Sequence, residues 1–197
     1  MKNLKIQLSV IYLLLLVSLT KADHYIDLEI ISSNNHSFII QLSDIKYDTK
    51  CLLLNKRGEI LYKENIESTD AFQRSLNLTE LPDDTYEVRI EDEYKTVTTF
   101  LTKSNGRVIQ SNENKNIAFK PQIILRDTQL NVSLLALNDE KLAISIIDEE
   151  QNIISEKKLS GSINLGQSFD LSQLNPGYYT VQLSTNGKIY NKPISLK

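Results

Sequence analysis

Leu78-Thr79-Glu80-Leu81-Pro82-Asp83-Asp84-Thr85-Tyr86-Glu87-Val88-Arg89-Ile90 returns later in the chain as Leu171-Ser172-Gln173-Leu174-Asn175-Pro176-Gly177-Tyr178-Tyr179-Thr180-Val181-Gln182-Leu183. Leu78 to Leu171 is an offset of 93 residues, and it holds without a gap across the motif. In both copies the pattern reads as a strand end, a turn and a new strand. Pro82, or Pro176-Gly177, breaks the ladder, because proline has no N–H to give and glycine accepts positive φ. Tyr86, Val88 and Ile90 then alternate, as do Tyr179, Val181 and Leu183. Period two marks a half-buried strand.

Working outward, the same period fills both halves. In the first, Ile26, Leu28 and Ile30 alternate, then Phe38, Ile40 and Leu42. The run Cys51-Leu52-Leu53-Leu54 suits a central strand, and Ile60, Tyr62 and Ile66 follow the turn Lys56-Arg57-Gly58-Glu59. Val97 to Leu101 closes that half. In the second, Val132, Leu134 and Ala136 alternate, then Leu142, Ile144 and Ile146. Asp148 to Asn152 matches the turn Asn55 to Glu59 at the same offset, and Asn186-Gly187 is a hairpin signal. Short strands with turns between them predict β-sandwiches. A Tyr just after a strand crossover resembles the tyrosine corner of immunoglobulin-like domains, whose hydroxyl bonds back to the crossover backbone. The expected fold is therefore all-β: two tandem immunoglobulin-like (fibronectin III-like) antiparallel β-sandwiches. Leu81 and Tyr86, then Leu174, Gly177 and Tyr179, form the two structural corners. The expected division is 23–103 for the first sandwich, 104–116 for a polar linker rich in Asn and Ser, and 117–197 for the second.

Residues 1–22 read as a secretion signal: Lys2 and Lys5, an apolar run from Ile6 to Leu19, and Thr20-Lys21-Ala22 ahead of a cut after Ala22. The run is shorter than the roughly 20 residues of a spanning helix, so no membrane span is expected once the signal is removed. Loss of Lys2, Lys5 and Lys21 makes the chain three charges more acidic than its formal −3. An acidic chain without a basic cluster is a poor partner for nucleic acid. The expected location is the periplasm, the cell surface or the medium. Cys51 is the one cysteine, so stability in an oxidising compartment must come from packing.

The residue types needed for catalysis are scarce. His24 and His36 are the two histidines, and neither falls beside Cys51 in the strand pattern. A nucleophile needs a neighbouring base, and a zinc site needs clustered His and Cys. Asp83-Asp84, Glu91-Asp92-Glu93 and Asp148-Glu149-Glu150 sit in expected turns, where acidic residues are ordinary; calcium held by one of them is a further reading. No enzyme, cofactor or catalytic residue is expected. Carbohydrate binding is the competing reading, with outward Tyr178 and Tyr190 as a small platform in a chain without tryptophan.

The span from Ile144 to Lys197 resembles the C-terminal sorting domains of proteins exported by the Bacteroidetes type nine secretion system. The resemblance rests on Asp170-Leu171-Ser172-Gln173-Leu174-Asn175-Pro176-Gly177-Tyr178-Tyr179, on Asn186-Gly187-Lys188-Ile189-Tyr190, and on the final strand Pro193 to Lys197. The span from Leu52 to Leu101, with its corner and Asp92-Glu93-Tyr94, is similar to a small exported Bacteroidetes domain of unknown function. These resemblances imply an exported, non-enzymatic module for surface sorting or protein interaction. The implied partner is secretion machinery, or a protein or glycan at the cell surface.

Overall fold

The computed structural model of the chain describes residues 27–32, 36–110 and 115–197. The expected signal, its cut after Ala22, and His24 lie outside the described residues. In the first unit, β1 (Asp27–Ser32), β2 (Ser37–Ile45) and β5 (Thr69–Asn77) form a sheet in the order β1-β2-β5. The other sheet runs β4 (Ile60–Ile66), β3 (Thr49–Leu54), β6 (Thr85–Glu91), β7 (Lys95–Ser104) and β8 (Arg107–Gln110), and β9 (Asn116–Phe119) also pairs with β7. In the second unit, β10 (Gln122–Arg126), β11 (Gln129–Leu135) and β14 (Asn164–Asp170) form one sheet. Its other sheet is β13 (Ile153–Leu159), β12 (Leu142–Ile147), β15 (Gly177–Thr185) and β16 (Lys188–Leu196), in that order. The two units share one strand plan, three strands against four, all antiparallel, and the first unit adds β8 and β9 to its four-stranded side. The fold is an all-β tandem of immunoglobulin-like, fibronectin III-like sandwiches.

Alternation explains the packing. Phe38, Ile40 and Leu42 on β2, and Tyr86, Val88 and Ile90 on β6, send their side chains into one core with Cys51 and Leu53. Leu130, Val132 and Leu134 on β11 meet Ile144, Ile146, Val181 and Leu183 in a second core. The duplication reaches down to irregularities. The β3–β4 register shifts between Leu53 and Leu54, and the β12–β13 register shifts between Ile146 and Ile147. The bulges leave Leu61 and Ile154 as the extra residues on edge strands, where a bulge discourages pairing with another chain. Ile60, expected to continue the inward pattern, is 57% exposed instead. The bulge changes the face on which it falls.

Among the described residues of the stretch expected as a polar linker, 104, 107–110 and 116 lie in strands. Asn105 and Gly106 have φ of 48° and 78°, the signs a type I′ hairpin turn requires. The chain reverses there, and β8 runs back along β7, from Ser104↔Arg107 to Leu101↔Gln110. β9 continues along the same strand, from Thr98↔Asn116 to Lys95↔Phe119. The first sandwich is thus extended beyond residue 103 by two strands. Gly106 is needed for more than its φ, because a Cβ there would lie 3.0 Å from His36 Nε2. Gly58 has the same φ of +78° with nothing within 4 Å. Gly106→Ala should therefore cost about 1–2 kcal/mol and Gly58→Ala about 1 kcal/mol or less. Urea unfolding of the two variants checks the order; equal costs would mean the imidazole simply gives way.

This return strand sets how the units join. β9 delivers the chain to the pole of the first sandwich that carries the Asp92–Lys95 turn. β10 starts opposite Ser133, near the end of β11, and so at the pole that carries the 136–141 loop and the Asn186-Gly187 turn. The sandwiches meet head to head. Lys120 N donates to Tyr94 O at 2.7 Å, and Asn138 Nδ2 donates to Ile117 O at 3.0 Å. Ile117 packs on the first core and Phe119 on the second.

Candidate interaction surface

Head-to-head joining leaves the two corners at the two far ends. At one end, Tyr86 Oη donates to Pro82 O at 2.6 Å, and Leu81 N to Leu78 O at 3.0 Å. At the other, Tyr179 Oη donates to Asn175 O at 2.8 Å, and Leu174 N to Leu171 O at 3.0 Å. The Tyr86 ring is fully buried, while Tyr179, Leu81 and Leu174 are half-buried against their cores. Gly177 lies against Glu149, whose Oε1 accepts from Tyr178 N at 2.9 Å. The corresponding position in the first copy is Asp84, whose Oδ1 accepts from Thr85 N at 2.8 Å.

One brace in the first corner is invisible to pattern reading. Lys103, almost wholly buried on β7, donates its ammonium to Leu81 O and to Thr79 O at 3.3 Å, with Asp83 Oδ1 at 3.9 Å. Its counterpart at the same offset is Leu196, an apolar core residue. Lysine ranks as a surface residue in any hydropathy scheme, so no sequence signal marked it.

Each far pole combines its corner with the turn between the third and fourth strands. In the first unit, Lys56 pairs with Asp84 at 2.8 Å and Arg57 with Glu59 at 3.1 Å. Between that turn and the corner lies a groove of about 380 Å³, whose lining includes Leu61, Leu81 and Pro82 together with the paired Lys56, Arg57, Glu59 and Asp84. In the second unit the turn is acidic. Asp148 Oδ1 accepts from Asn152 N at 2.8 Å, and Asn152 Nδ2 donates to Asp148 Oδ2 at 3.0 Å. Each pole also presents apolar side chains beside its turn, Ile60 and Leu61 at one end and Ile153 and Ile154 at the other.

The bond from Lys56 and then that from Thr85 N hold the Asp84 carboxyl below its usual range, as bonds from Asn152 do for Asp148. For Glu64, the Arg74 guanidinium is the main cause of the same downward shift. Folded values below unfolded ones mean that this stability is present above the ordinary carboxyl pKa near 4 and is lost as pH falls below it. The urea midpoint should stay level from about pH 8 to 5 and drop below about pH 4. A midpoint that rises on acidification contradicts these pairings.

The aromatic platform does not form. Tyr178 pairs with Ser195 and Tyr190 with Leu183 on the same ladder. Five rungs separate them, an odd number, so their side chains lie on opposite faces and at opposite ends. Tyr178 is 67% exposed, whereas Tyr190 packs on the second core. Burial, and then the Glu91 carboxylate across the junction, push the Tyr190 phenol above its ordinary value. A different aromatic pair stands beside the junction. Tyr47 and Tyr94 have ring centroids 4.6 Å apart, at 56°, next to a cleft of about 520 Å³ lined by residues that include Lys50, Glu91 and Lys120.

Cys51 is buried, and that burial pushes its thiol up to about 12. Thiolate is the reactive form, so a disulfide reagent at pH 8 should modify Cys51 only on unfolding. Rapid labelling of the native protein would contradict its position in the core.

Residues 101–191 match the family model described as Domain of unknown function (DUF3244). The match falls on the second unit and the strands leading to it, whereas the likeness to a domain of unknown function was expected over Leu52 to Leu101. No curated protein matches. Among solved structures, the BSP domain of a biofilm associated protein is similar at 14% identity, over 87% of this chain and 29% of that one, with a TM-score of 0.29. The FN1-FN3 domains of chicken CNTN1 are similar at 10% identity, over 87% and 65%, with a TM-score of 0.30. Dimeric latent PorU from Porphyromonas gingivalis is similar at 10% identity, over 88% and 20%, with a TM-score of 0.33. This chain spans less than two thirds of each of them.

Proposed function

We propose that the protein is an exported, non-enzymatic interaction module, with the second sandwich serving surface sorting and attachment. The observation that carries this reading is the repeated exposure of apolar residues at equivalent positions. Ile60 and Ile153 are 57% and 62% exposed, beside Leu61 and Ile154. Exposed apolar groups rimmed by charge mark surfaces that meet partners. Their recurrence in two copies that differ at most other positions argues against accident.

Intact mass of the protein in the medium, at the surface and in the periplasm of its native host tests the reading. Loss of residues 1–22 from surface or extracellular material supports it, and a cut near the second unit adds the sorting role. Uncut protein confined to the cytoplasm overturns it. Glycan binding is the second reading, favoured by Tyr47 and Tyr94 beside the junction cleft; oligosaccharides that leave the spectra of both tyrosines unchanged count against it.

A further inference from the structure

The chain carries the same dipeptide at the tips of two hairpins. Asn105-Gly106 joins β7 to β8, and Asn186-Gly187 joins β15 to β16. The backbone is alike at both, with φ of 48° and 78° at the first tip and 49° and 71° at the second. Both asparagines are exposed. Asparagine before glycine is prone to cyclise, because no Cβ shields the glycine nitrogen from the carboxamide. A two-residue hairpin turn opposes the reaction. Ring closure needs the asparagine to rotate out of the left-handed conformation that the turn imposes, so it waits until the tip opens.

The two tips are held differently. The β15–β16 ladder has nine rungs, from Thr185↔Lys188 to Gly177↔Leu196, and the β7–β8 ladder has four. On β8, Val108 is the one buried side chain. The Asn186 side chain also bonds the buried Glu140 carboxylate. Among the described residues no group bonds the Asn105 carboxamide. That tip is tied through its backbone, with Asn105 N donating to Asp83 Oδ2 at 2.8 Å and His36 N to Gly106 O at 3.1 Å. Short ladders with few buried contacts open most readily.

We propose that Asn105 is a site of spontaneous deamidation that releases strand β8, while Asn186 is preserved. With the tip open, Gly106 N yields its proton to hydroxide and attacks Asn105 Cγ. The C–N bond of the carboxamide breaks, and ammonia leaves with a proton from water. Water then opens the cyclic imide at either carbonyl, so that one water enters for each ammonia lost and nothing is oxidised or reduced. One opening gives aspartate. The other gives isoaspartate, which adds a methylene to the backbone of a turn that fits two ordinary residues. Either product sets a new carboxylate beside Asp83. With isoaspartate at the tip, β8 loses its register on β7 and Val108 its place in the core.

Peptide mapping of the full chain, aged in mildly alkaline buffer, tests the proposal. Isoaspartate should build up at Asn105 about tenfold or more faster than at Asn186. In urea the two sites should react at similar rates, since each is Asn-Gly followed by a cation, Arg107 or Lys188. Val108→Ala loosens β8 and should speed the reaction at Asn105 while leaving Asn186 as it was; circular dichroism checks that this variant folds. In the aged protein the Ile109 amide, opposite Thr102, should lose exchange protection while the Tyr190 amide, opposite Leu183, keeps it. Equal rates at the two tips of the folded chain, a faster reaction at Asn186, no response to Val108→Ala, or isoaspartate at Asn105 with Ile109 still protected would each overturn the proposal.

Discussion

Tyr86→Ala should destabilise the first sandwich by about 3–5 kcal/mol, and Tyr86→Phe by about 1 kcal/mol. The ring is enclosed in the first core, so truncation removes a large apolar surface and leaves a cavity. The hydroxyl adds one bond, to Pro82 O at 2.6 Å, and its loss strands a carbonyl at the crossover. Tyr179 makes the equivalent bond to Asn175 O from a half-buried position. Water can reach that carbonyl more easily, and Tyr179→Phe should cost about half as much. Hydrogen exchange during urea unfolding separates the cores, through the amides of Val88 and Val181. A larger loss for Tyr179→Phe than for Tyr86→Phe would show that burial does not set the value of this bond.

Lys103→Ala should cost the first sandwich about 2–3 kcal/mol. Its ammonium holds two crossover carbonyls, Leu81 O and Thr79 O, and its stem fills the space between β7 and the corner. Removal leaves both acceptors without this donor. Lys103→Leu imitates the second copy, where Leu196 stands at this position; it keeps the packing and loses only the bonds, so the cost falls to about 1–2 kcal/mol. Exchange protection of the Leu81 amide should fall in both variants while that of Leu174 is unchanged. If the Leu variant is as stable as the parent, the ammonium contributes nothing and the brace is apolar.

The corners could be read from sequence because their information is local. A proline breaks the ladder, a tyrosine follows four residues later in the first corner and three in the second, and alternation supplies the face. The return strand could not be read in that way. Asn186-Gly187 and Asn105-Gly106 make the same kind of turn, but long alternating strands flank the first. After the second come only Arg107 to Gln110, with Val108 as the one buried residue. One inward side chain establishes no period. The pairing of β9 with β7 is a choice of partner made in three dimensions. The tyrosine platform failed for a related reason, since which face Tyr190 shares depends on the rung count between β15 and β16. Ile60 departed from its expected face through a bulge, which inserts one residue and shifts the alternation.

The hairpin at Asn105-Gly106 also decides how the molecule would bear tension. Strand β1 begins, and β9 ends, at the same pole of the first sandwich. A pull along the chain therefore separates two strand ends side by side, and their ladders open one bond at a time. In the second sandwich β10 begins at one pole and β16 finishes at the other, with Leu196 opposite Gly177. The same pull drags those strands lengthwise past their neighbours, loading many bonds together. The first sandwich should yield at low force while the second holds, so the pair would act as an extensible section in series with a stiff one.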